Sequence, residues 1–356
     1  MFSRISKLFI VCIMLIVVCL AHQVEAGTWT QKADIPTARH WCGTAVVDGK
    51  IYIIGGDIST SWGMTAVLEE YDPAADTWTK RSRMPSERHA LGAAAVDGIV
   101  YAIGGWGGGD QHSTVEAYDP ATDKWTKKAS MLSKRTGLSS SVVAIDEKIY
   151  VISGLGPGTG IFSIVMVYDS ATDRWTRKAN IPTARMDHAA CVIDGRIYVS
   201  GGSLAWPRTP TSSTVEVYDP STDTWARVSD MPRPRQRHSA STVDGKMYII
   251  GGWDDAMVKL FGEGKLDERE VEEWVSIVDV YDPGTDTWTT ATPHPFVTAG
   301  HAAAVVDGKI YTISGRRGNE IYSTVYEFDP ALPEVLTSVS PGGKLLETWG
   351  RIKIAE

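Results

Sequence analysis

The sequence predicts an all-β chain built as one closed ring of six equivalent units. Three observations predict it. A tyrosine returns at Tyr52, Tyr101, Tyr150, Tyr198, Tyr248 and Tyr311, in steps of 49, 49, 48, 50 and 63 residues, followed by a glycine pair or its remnant. Around each tyrosine, short apolar or alternating runs are separated by turn residues, which is the pattern of strands rather than helices. A tryptophan closes each unit seven residues before the next lead-in position, and the same interval already separates Trp29 from Pro36, ahead of the first unit. A ring shares one architecture, so 356 residues are expected as one large domain even though length alone suggests more.

From the N-terminus, Arg4 and Lys7 precede an unbroken apolar run from Leu8 to Leu20, and Val24-Glu25-Ala26 follows. Thirteen apolar residues are short for a bilayer span and suit a signal peptide over 1–26, cleaved after Ala26. The expected localisation is therefore secreted or periplasmic, with no membrane segment after cleavage. Cys12 and Cys19 would leave with the leader. Cys42 and Cys191 fall in the first and fourth units, too far apart round the ring to bridge, and read as small core residues. Loss of Arg4, Lys7 and Glu25 changes the formal charge from -8 to -9, which argues against a nucleic-acid partner.

The second unit shows the element order. Ala93-Ala94-Ala95-Val96 is a small-residue strand, Asp97-Gly98 a turn that needs positive φ, and Val100-Tyr101-Ala102-Ile103 the returning strand. Gly104-Gly105 ends it. Val115-Glu116-Ala117-Tyr118 alternates as a third strand, and Asp119-Pro120-Ala121-Thr122-Asp123 turns into a fourth at Trp125. Four antiparallel strands make a blade. The turn recurs at Asp48-Gly49, Asp194-Gly195, Asp244-Gly245 and Asp307-Gly308, with Asp146-Glu147 in the third unit. Ala45, Ala94, Cys191, Ser241 and Ala304 hold one position in the first strands, where blades converge and small side chains fit.

Six copies of these motifs, from Trp29 to Pro330, resemble the kelch repeat. The resemblance implies a six-bladed β-propeller, four antiparallel strands per blade, with the first strand of each blade lining a central channel. The Trp29 spacing then makes Thr28-Trp29-Thr30 the outer strand of the last blade, so the N-terminal strand closes the ring and removes free sheet edges. The propeller is expected over 27–330 and a tail over 331–356, which could be a docked helix, an edge strand or a contact segment.

Two residue sets point to the channel face. Arg39, Arg88, Arg135, Arg185 and Arg235 each sit three residues after the lead-in proline or leucine, while the sixth unit has Thr298. Two readings stay open. A guanidinium ring at the channel mouth would take a carboxylate or other anion, as similar arginines do for acidic peptides in actin-binding and ubiquitin-adaptor kelch proteins; alternatively the arginine belongs to the repeat and pairs with a backbone carbonyl or nearby acid. The second set is the loop tryptophans Trp62, Trp106, Trp206, Trp253 and Trp274, which read either as a contact surface for protein or sugar or as packing over blade ends. The 253–275 insertion lengthens the fifth unit's loop. His188, His238 and His301 share one position and read as inner-strand hydrogen-bonding residues. No metal and no cofactor is expected.

The leading expectation is a monomeric binding or scaffold propeller that engages a protein or anionic glycan at the channel face, a reading that leans away from an enzyme without deciding the point. The alternative is a sugar mutarotase or epimerase: a secreted six-bladed kelch chain looks like the periplasmic N-acetylneuraminate epimerases. Glu263 or Glu268 would then move protons, although no catalytic motif matches. A galactose-oxidase-like copper site would need a Tyr-Cys cofactor that Cys42 and Cys191 do not supply.

Overall fold

The computed structural model describes residues 24–25, 27–59, 63–206, 210–254, 276–296 and 298–332. They form six four-stranded antiparallel sheets. Blade 1 is Gly43–Val47, Lys50–Ile54, Leu68–Asp72 and Thr77–Arg81, and the next four blades repeat this order along the chain. First strands of neighbouring blades pack side by side around the axis, and their small residues, Ala45, Ala93, Ala94, Ala144 and Ala304 among them, border the channel. Second strands such as Ile51 to Ile54 are apolar on both faces and fully buried, because each lies between two blades.

The sixth blade completes itself from the other end of the chain. Thr28–Lys32 pairs antiparallel with Glu320–Asp329, which places Trp29 opposite Phe328. The ring is thus closed by its N-terminal strand, as the Trp29 spacing requires. Val24 and Glu25 add a short parallel strand beside Thr287–Ala291 of blade 5. Apart from that pair, the leader expected over 1–26 lies outside the described residues, as do the residues beyond 332.

The turns follow their sequence signals. Asp97 and Gly98 have φ of 51° and 74°, the left-handed pair of a tight hairpin. In the third unit, where Glu147 replaces glycine, Asp146 alone has positive φ.

Each repeated tyrosine, aspartate and tryptophan of the outer hairpin works as one latch on the preceding blade. In blade 1, Tyr71 donates its hydroxyl proton to Asp76 (2.6 Å), Asp76 accepts from the Ala33 amide (2.8 Å), and Trp78 Nε1 donates to the Ala33 carbonyl (2.9 Å). Both backbone groups of one residue, just past the neighbour's outer strand, are held. Asp123, Asp173, Asp223 and Asp286 repeat this on Ser82, Ala129, Ala179 and Ser229. At the seam between blades 5 and 6, Phe328 stands where the tyrosine would be. There Trp29 Nε1 donates to the Thr292 carbonyl (3.0 Å) and the Thr292 hydroxyl to Gly27 (2.7 Å).

Candidate functional site

The five arginines of the row are 0–1% exposed, inside their blades rather than at the channel mouth. Arg185 shows the arrangement. Its guanidinium donates to the carbonyls of Thr183 (3.1 Å), Gly201 (2.8 Å) and Thr214 (2.9 Å) and pairs with Glu216. Arg39 does the same with Thr37, Gly55, Val67 and Glu69. Arg88 pairs with Glu116 at 3.0 Å, and Arg235 with Asp279 at 2.8 Å. Burial lowers the pKa of all five, opposed in these four by the nearby carboxylate. The acid stands second in the third strand of its blade, a spacing visible as Glu69, Glu116, Glu216 and Asp279. Of the two sequence readings, the geometry is that of the repeat: Arg39, Arg185 and Arg235 tie the loop after the glycine pair to the blade, and Arg88 bonds the Ala102 carbonyl.

What faces the channel mouth is the residue two positions later. Trp41, Ala90, Gly137, Asp187, Arg237 and Gly300 occupy this position, and all six have φ between 51° and 71°. Four of the six are not glycine, so the backbone holds them in a conformation that costs about 1 kcal/mol or more each. A belt of backbone bonds holds them there. Ala90 donates to Trp41 (2.7 Å), Trp41 to Gly300 (2.8 Å), Gly300 to Arg237 (2.8 Å) and Arg237 to Asp187 (2.7 Å). The belt breaks at blade 3, whose first strand starts at Val142, seven residues after its arginine instead of four. Sequence reasoning missed this column because its residue types differ; its signal is one variable position inside a constant frame.

Around the belt lies a cavity of about 570 Å³. Its wall includes Trp41, His89, Trp106, Asp187, Trp206 and Arg237, with Gln111, Leu155 and Met186 between them. Trp106 and Trp206, two of the expected contact residues, therefore lie on it. Trp253 stands behind it: Arg237 is sandwiched with its guanidinium carbon 4.7 Å from the Trp41 ring centre and 4.8 Å from that of Trp253. Arg237 Nε donates to Asp187 at 2.8 Å. No other acceptor takes this guanidinium among the described residues, so its two Nη groups remain for a ligand. Trp62 and Trp274, with most of the 253–275 insertion, lie outside the described residues.

The three aligned histidines are buried. His238 and His301 ring nitrogens meet the hydroxyls of Ser200 (3.0 Å) and Ser239 (2.9 Å), and burial pulls His188 down to about 3 and His301 to about 4. Among the described residues no cluster of three histidine, cysteine or acidic groups could hold a metal ion. Cys42 and Cys191 are buried free thiols, raised by burial to about 11 and about 12.

Fold and repeat together define a six-bladed propeller of the kelch type. The chain belongs to the kelch-repeat family: the KLHDC2/KLHL20/DRC7 Kelch-repeats domain matches residues 15–202 and 139–334. It is similar to the Kelch-like protein terF of Aspergillus terreus (strain NIH 2624 / FGSC A1156), 43% identical over 56 residues. That stretch is 15% of this chain and 12% of the relative's length. The solved structure of YjhT superposes with a TM-score of 0.68 at 15% identity, covering 83% of this chain and 95% of YjhT, and supports the fold alone.

Proposed function

We propose that the protein is a binding propeller that takes a segment of a partner protein into the channel-mouth cavity. The observation that carries this reading is the strained belt that presents Trp41, Asp187 and Arg237 to one cavity. Trp41, Trp106 and Trp206 offer wide apolar surfaces that lose little entropy on contact. Arg237, fixed by Asp187 and by two rings, offers a preset pair of donors to a carboxylate. The partner segment that fits is an apolar side chain flanked by an acidic one. Membership of a family whose propellers commonly bind proteins agrees with this.

An anionic sugar is the second reading, favoured by the same pairing of tryptophan faces with Arg237. Glu263 and Glu268, the acids an epimerase would use, lie outside the described residues. The apolar run of Leu8 to Leu20 makes the secretory route part of the proposal, tested by N-terminal sequencing of the protein from its native source.

Selection from a displayed peptide library and a glycan array, each with the full chain and with Arg237→Ala, tests both readings. Enrichment of acidic-apolar peptides that is lost in the variant supports the protein reading. Glycan-specific capture lost in the variant supports the second, and capture indifferent to Arg237 removes this cavity as the site.

A further inference from the structure

We propose that blade 3 holds a small monovalent anion of the halide class on the buried guanidinium of Arg135. The chain itself provides the comparison. In blades 1, 2, 4 and 5 the arginine faces Glu69, Glu116, Glu216 or Asp279. Blade 6 has lost both members together, with Thr298 and Tyr326 at the two positions. Blade 3 keeps the arginine but has Met166 in place of the acid, so a fully buried cation remains with no carboxylate paired to it among the described residues.

Its hydrogen bonding differs accordingly. Arg135 Nη1 donates to the Lys134 carbonyl at 3.0 Å, and the guanidinium carbon lies 4.0 Å from the centre of the Phe162 ring. Nε and Nη2 are buried and without a hydrogen-bond partner among the described residues. These two donors form one edge of the guanidinium. In blade 4 that same edge holds the Thr183 carbonyl and Glu216, and in blade 1 the Thr37 carbonyl and Glu69. Ser133, whose counterparts Thr37, Ser86 and Thr183 donate to the acid, has the Met166 sulfur, at 3.8 Å, as its hydrogen-bond partner among the described residues. A buried charge and two parallel donors lacking acceptors are costly unless an anion meets them. Burial pulls Arg135 down to about 10, which leaves it charged at neutral pH and able to hold that anion.

The test is thermal unfolding of the full chain in sodium chloride against sodium gluconate at equal concentration, gluconate being too large for a buried site. For a chloride affinity of tens of millimolar, 300 mM chloride is expected to raise the melting temperature by about 3 °C over gluconate. Met166→Glu, which supplies the carboxylate internally, and Arg135→Met, which removes the cation, should both be indifferent to the exchange. Crystals grown in bromide should show an anomalous peak within about 3.5 Å of Arg135 Nε. Equal melting of the unaltered chain in both salts, or a chloride response that survives Arg135→Met, overturns the proposal; the second variant serves if the first does not fold.

Discussion

Replacing Glu216 by leucine isolates the buried arginine–acid pair on which the loops after the glycine pairs depend. Glu216 accepts from Arg185 and, at 2.9 Å, from the Thr183 hydroxyl, while Arg185 also bridges the Gly201 and Thr214 carbonyls. The substitution leaves a fully buried guanidinium without its counter-charge and a hydroxyl without its acceptor. Removing one member of such a pair costs about 3–5 kcal/mol, whereas removing both with apolar residues of similar volume is close to neutral. For a propeller of this size that is a fall in melting temperature of about 5–15 °C. Scanning calorimetry of Glu216→Leu, Arg185→Met and the double variant provides the cycle. The double variant should recover most of the loss. A loss below about 1 kcal/mol, or a double variant as unstable as the sum of the singles, would refute the view that the arginine is held for its carboxylate.

Trp206 is 40% exposed on the cavity wall, so Trp206→Ala should change stability by less than about 0.5 kcal/mol while lowering partner affinity at least tenfold by titration calorimetry. Asp76, Asp123, Asp173, Asp223 and Asp286 are all held below the usual aspartate pKa, with the adjoining tyrosine hydroxyl and the latched amide stabilising the carboxylate. Their contribution is complete above about pH 4 and lost as pH falls through the depressed values, so Asp123→Asn should flatten the urea midpoint between pH 4 and 2. His188, His294 and His301 are lowered to about 3, 3 and 4 by burial. Because the unfolded chain takes up these protons first, stability should fall as pH descends from about 6.5 toward 4, by up to about 1.4 kcal/mol per pH unit for each histidine. Hydrogen exchange or denaturant titration at pH 7 and 5 measures this; a flat profile would mean the imidazoles are charged in place. Deleting residues 28–32 should leave blade 6 one strand short and abolish cooperative unfolding, read by calorimetry.

Spacing made the ring legible because each repeated residue has one mechanical role that no neighbour can fill. Asp97-Gly98 must turn, Trp125 must reach the Ser82 carbonyl, and Trp29 must stand seven residues before Pro36 if the last blade is to be closed. The same regularity points to residues that lie inside the blades. Arg39, Arg88, Arg135, Arg185 and Arg235 stand out because they repeat, and four of them meet the acid of their own blade while three, Arg39, Arg185 and Arg235, also meet equivalent carbonyls. Binding needs the opposite property, since a cavity wall made of identical residues would recognise little. The wall comes from the position that changes, with Trp41, Asp187 and Arg237 adjoining across blades that are far apart in sequence. Their contact through Arg237 depends on ring closure, which no local pattern displays.

The belt explains how this fold can vary that position freely. Left-handed backbone at six points would ordinarily demand glycine, yet tryptophan, alanine, aspartate and arginine are tolerated because blade-to-blade backbone bonds, not side chains, fix the conformation. The latches that join the blades lie at the opposite, outer edge, so a change of side chain at the mouth leaves them untouched. Stability and recognition are therefore assigned to different residues of the same repeat. Arg237→Ala should remove the cavity's cation without loosening the ring, whereas Tyr118→Phe, which removes a 2.7 Å bond to Asp123 far from the mouth, should lower stability by about 1 kcal/mol and leave partner affinity unchanged. A Tyr118→Phe protein that binds more weakly at a temperature well below its melting point would show that the two roles are coupled after all.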